Sequence, residues 1–114
     1  MWSRRDEVTL ANPLGPPARG PQAVFETMER AAAQLREGER PSWERISQGE
    51  SGDMAYIVEI ERTRVKPGGS DELLPIALRV TSIFGREEDG WKLWHRHADP
   101  LTAPRTMESV MRGS

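Results

Sequence analysis

Two histidines and an acid alternate in the stretch His95, Arg96, His97, Ala98, Asp99. Successive side chains of a strand point to opposite faces. Straight alternation from Gly90 to Leu101 therefore puts Trp91, Leu93, His95, His97 and Asp99 on one face, and Lys92, Trp94, Arg96 and Ala98 on the other. Imidazole titrates near neutrality, and a carboxylate beside it fixes the tautomer, so the pattern suits general acid–base chemistry. A metal site is the competing use of His-x-His-x-Asp. Alternate positions along a strand, however, spread the first and last Cα atoms over about 13 Å. The chain has only these two histidines and no cysteine to complete a shell, so no metal is assigned.

Elsewhere the titratable groups are less concentrated. Glu59 and Glu61 share a strand face with Ala55 and Ile57, as expected of a solvated or dimer-rim surface. The glycines at 68 and 69 have no helix or Lys-Ser/Thr behind them, so they form a turn rather than a phosphate loop. The tryptophans at 2, 43, 91 and 94 are accounted for by core and interface packing, and a flat apolar ligand is their alternative use.

The whole chain limits what these groups can serve. Its 114 residues make one domain, and its 36 % hydrophobic and 30 % charged content suits a globular protein. A net charge of −2 with dispersed arginines argues against nucleic acid. The lack of cysteine excludes disulfides and thiol nucleophiles and fits the cytoplasm. No apolar run follows the first charges, and none is long enough to span a bilayer, so neither a signal peptide nor a membrane is expected.

Breakers and periodicity set the elements that position the histidine strand. A short strand is expected near 5–12, then a Pro/Gly loop from Pro13 to Pro21. Val24, Met28, Ala31, Ala32 and Leu35 recur at three- and four-residue steps, which predicts an amphipathic helix over 21–37 ending at Gly38. Strands are expected at 43–48, 54–65 and 73–86 before the last one begins at Gly90. Residues 102–114 form a tail with Met107, Val110 and Met111 at helical spacing. A two-residue Asp89-Gly90 turn would put Phe84, Ser82 and Val80 on the histidine face. The preferred three-residue loop Glu88-Asp89-Gly90 sets Ile83 opposite His95, Thr81 opposite His97 and Arg79 opposite Asp99. That register also places Trp94 and Phe84 together on the other face.

The segments 8–24, 52–62 and 78–101, ending in Gly-Trp-Lys-Leu-Trp-His-Arg-His, resemble the SnoaL-like branch of the nuclear-transport-factor-2-like superfamily. That superfamily includes ketosteroid isomerase and polyketide cyclases. The likeness spans about residues 2–101. It implies an α+β fold, a curved, cone-like antiparallel sheet packed on one main helix, with the usual N-terminal helices missing. The resemblance further implies that Tyr56, Arg79, Thr81, His95, His97 and Asp99 lie in or near a cavity. There His97, Asp99 and Tyr56 are expected as acid–base groups and Arg79, Thr81, His95 and Trp91 as ligand contacts. A small hydrophobic or aromatic ligand, no cofactor, and a homodimer through the outer sheet face complete the expectation. Isomerase, cyclase or hydrolase chemistry and plain ligand binding or assembly both stay open.

Overall fold

The computed structural model describes residues 1–36, 38–67 and 69–112. The first glycine of the 68–69 turn lies outside them, and the helix expected over 21–37 ends at Gln34, with residues 35 and 36 in a strand. The elements in order are β1 (Thr9–Ala11), β2 (Ala18–Arg19), α1 (Pro21–Gln34), β3 (Leu35–Arg36) and β4 (Ser42–Ser51). They continue with β5 (Met54–Pro67), β6 (Leu74–Glu87), β7 (Gly90–Pro100) and α2 (Met107–Met111). The strands form one curved sheet in the order β2-β1-β7-β6-β5-β3, with β4 also on β5. Strands β4 to β7 form an antiparallel meander, whereas β1 runs parallel to β7. The α+β curved sheet packed on one main helix is thus the observed architecture. Periodicity did not foresee the two-residue strands β2 and β3. They are too short to carry a pattern, and each merely pairs one end of a connection to an edge.

The position of α1 decides which side of the sheet is hollow. Val24 packs with Val8, Leu10 and Ala18 in the buried cluster, and Leu10 is in register with Arg96. The helix therefore lies on the Arg96 side. Its main contacts are with β1, β2 and β3, the strands at the two ends of the sheet path. Five gaps of about 4.8 Å give a flat width of about 24 Å, and fourteen helical residues span about 21 Å. The helix is a chord joining the two sides of the sheet, and the sheet arches away from it. Val80 and Ala98 on the helix side are each 1 % exposed. Arg79 and His97, one residue away on the other face, are exposed.

The last hairpin departs from the expected loop. Glu87 pairs with Gly90 across a two-residue turn, and Gly90 has φ 120°. The extra residue enters at Trp94 instead, where the register shifts between Ile83 and Phe84. Beyond that bulge His95 faces Ile83, His97 faces Thr81 and Asp99 faces Arg79. The three pairs stand as expected, for a different reason.

Candidate functional site

The bulge re-sorts the aromatic residues. Trp91 pairs with Arg86 and Leu93 with Phe84, which puts both on the helix side. This corrects the placement of Trp91 on the histidine face, because an unpaired residue inverts the alternation before it. The Arg86 guanidinium sits 4.7 Å from the Trp91 ring centroid. Trp94 moves the opposite way. Its ring lies flat on Gly85, where a Cβ would come within 1.8 Å of the indole. Its Nε1 donates to Glu87 Oε2 at 2.9 Å, and Ser3 Oγ donates to the same oxygen at 2.6 Å. Those two donors, Ser3 first, hold the Glu87 carboxyl below its usual range. Arg5 covers the indole at 4.3 Å, so the N-terminal residues are clamped to the hairpin.

His95, His97, Asp99, Arg79, Thr81 and Tyr56 do share one face, and it is the open one. They were expected around a cavity, and α1 lies across the other side of the sheet. His97 Nε2 meets Asp99 Oδ2 at 2.7 Å, with half of the His97 side chain exposed. The cross-strand pairing of Arg79 with Asp99 carries no ion pair among the described residues; the carboxylate turns along its own strand. His95 Nδ1 bonds Thr9 Oγ1 at 2.6 Å. Burial, and then the His97 ring 6.4 Å away, push the His95 pKa down. His95 belongs to a small recess with Trp94, Arg5 and Thr9, while Tyr56 and Thr81 belong to a separate saddle with Met54 and Ile83. Gly49 lets the Tyr56 ring lie across β4, since a Cβ there would sit 2.5 Å from the ring. The six residues are therefore aligned on one surface, with His95 in one depression and Tyr56 and Thr81 in another that meets it at Ile83.

The helix side holds charged groups of another kind. Arg96 Nη2 pairs with Glu61 Oε1 at 3.0 Å, and their side chains are 28 % and 17 % exposed. Arg45 approaches Glu59 at 3.5 Å and also bonds Gln48. The pairing brings Glu59 level with Val80, and Ser82 with Arg96, on this same surface. Glu59 and Glu61, expected at a solvated rim, are half-buried here because their face is the one the sheet curls around. Arg96 was the available signal: its parity on β7 matches that of the two glutamates across β6. At the hairpin end the lining turns apolar, with Phe84, Leu93 and Trp91. Beside them a pocket of about 380 Å³ opens between Trp2, Val8, Val24, Phe25 and Met28. Among the described residues no group of three or more His, Cys, Asp or Glu could hold a metal ion.

A model of the SnoaL-like domain matches residues 1–102. The chain belongs to the SnoaL-like domain family. Solved structures give the same fold. A ketosteroid isomerase-like protein from Erwinia carotovora atroseptica aligns with TM-score 0.75 and 16 % identity, over 87 % of this chain and 76 % of that one. A nuclear transport factor 2-like superfamily protein from Salmonella enterica serovar Typhimurium gives 0.77 and 12 %, over 95 % and 78 %. A candidate calcium/calmodulin-dependent protein kinase type II association domain from Thiobacillus denitrificans gives 0.67 and 28 %, over 89 % and 77 %. No curated protein matches the sequence. Among the described residues no helix is long and apolar enough to cross a membrane.

Proposed function

We propose that this SnoaL-like protein binds a small apolar or aromatic molecule on the helix side of its sheet. The ligand's body would rest on Phe84, Leu93 and Trp91, with a polar group reaching the Arg96–Glu61 pair. The observation that carries this reading is that pair: two half-buried charges satisfying each other on the hollow face, beside apolar walls. A concave, mostly apolar surface with a few fixed polar groups is the usual form of a ligand site. The test is a thermal-shift screen of aromatic and polyketide-like compounds on the native chain, Arg96→Met and His97→Ala. A hit should lose at least tenfold in affinity with Arg96→Met and keep it with His97→Ala. Loss only with His97→Ala, or silence across the screen, overturns the reading.

The close His97–Asp99 contact favours a second reading, proton transfer on the open face with Tyr56 as a further acid–base group. Arg79, Thr81 and His95 would then hold the substrate, whereas Trp91 lies behind the sheet. Product formation that vanishes in a folded His97→Ala variant would select it. The same open face, with Met54 and Tyr56 about half exposed around a saddle of about 600 Å³, suits a second copy in a homodimer. The likeness to an association domain supports that assembly. The cysteine-free composition supports a reducing compartment such as the cytoplasm.

A further inference from the structure

Among the described residues two apolar surfaces are left uncovered, and their chemistry is complementary. One is the groove between the N-terminal residues and α1, where Phe25 is 60 % and Met28 43 % exposed. The other is α2, whose Met107, Val110 and Met111 fall on one side at three- and four-residue steps. They are 71 %, 52 % and 79 % exposed. The α2 turn is nonetheless defined, because Thr106 caps it by accepting from the Ser109 amide at 3.1 Å. The charges also correspond. Arg4 lines the groove and Glu29 lies one turn beyond Phe25, and neither makes an ion pair among the described residues. On α2, the Glu108 and Arg112 side chains pair with each other, both about three-quarters exposed.

We propose that α2 of one copy docks in the groove of a second copy, so that two chains exchange C-terminal arms. The tether argues for a second chain. The Leu101 amide donates to Ala77 O at 2.8 Å, which anchors the arm at the end of β7. Trp2 of the groove bridges Leu93, eight residues back, about 26 Å at 3.3 Å per residue. Six Cα steps from Leu101 to Met107 cover at most about 21 Å. Met107 therefore falls short of the Trp2 end of its own groove, and the apolar side of α2 stays exposed outside it in the same chain, whereas a neighbour is not so restrained. A two-fold exchange fills both grooves with the same contact.

The chain has no native cysteine, so introduced pairs report docking directly. The 114-residue chain with Met28→Cys and a size tag is mixed with untagged Val110→Cys and oxidised. The mixed disulfide should exceed either homodisulfide severalfold on a non-reducing gel. Adding Met107→Asp and Met111→Asp to the Val110→Cys chain should abolish that excess while circular dichroism stays unchanged. A statistical mixture of disulfides, no disulfide, or an excess that survives the aspartates overturns the proposal. So does a double variant, Met28→Cys with Val110→Cys, that closes within single chains.

Discussion

The two faces of β6 and β7 lie one residue apart along each strand and carry their charges differently. On the helix side, Arg96 and Glu61 are drawn together over Val80 and Ala98, where water is scarce and an unpaired charge is costly. On the open side, His97 and Asp99 meet at a shorter distance while remaining partly hydrated. Close contact alone therefore does not mark the stronger interaction. A hydrated pair is worth little, and a half-buried one is costly to break. The same contrast explains why the most suggestive residues of the sequence lie outside the hollow.

The largest expected effect comes from placing a charge on each face in turn. Val80→Asp sets a second carboxylate beside Glu59 in a dry position and should cost about 3–5 kcal/mol or prevent folding. Thr81→Asp, its neighbour on the open face, should cost under about 1 kcal/mol by urea unfolding. Equal losses would mean that the two faces are not distinct. Gly85→Ala is the exception that sharpens the contrast. It lies on the open side, yet its Cβ would enter the Trp94 ring, and overpacking of this kind should cost about 1–3 kcal/mol. Glu61→Ala leaves Arg96 half-buried without its acid and should cost about 1–2 kcal/mol, part of it recovered by adding Arg96→Met. Recovery of nothing would mean that the pair is as dispensable as a surface one.

The smallest effect is in the pH dependence of melting. The folded pKa of His95 lies below the ordinary 6.5, so unfolded chains take up the proton first as pH falls. Its contribution is present above about pH 6.5 and fades as pH drops through the folded value. Glu87, also lowered, contributes above the ordinary carboxylate range and loses that contribution at more acid pH. The melting temperature should therefore fall in two stages on acidification. His95→Gln should remove the upper stage and Glu87→Gln the lower. A profile flat from pH 7 to 5 would contradict the burial of His95.

Much of this arrangement was legible in the residues. The three- and four-step apolar spacing from Val24 marks α1, and breakers at Gly52–Asp53, at the 66–72 loop and at Asp89–Gly90 divide the meander. Alternation grouped His95, His97 and Asp99 along β7, and the observed pairing sets Arg79, Thr81 and Tyr56 on the same face. Alternation failed for Trp91 and Trp94, because no sequence signal announces where a hairpin absorbs its odd residue. The structure resolves it at Trp94, where Gly85 leaves room for the indole and Glu87 accepts its N–H.

Within an unbulged stretch of strand the sequence by itself determined which side chains travel together, because the two-residue period of a strand is a property of the backbone. It could not determine which of the two groups faces inward, since alternation is indifferent to exchanging the faces. That choice was made only when α1 crossed from β2 to β3 on the side of Leu10, an outcome of long-range packing between Val24 and residues far from β7. Burial of Val80 and Ala98, pairing of Arg96 with Glu61, and exposure of His97 all follow from that single crossing.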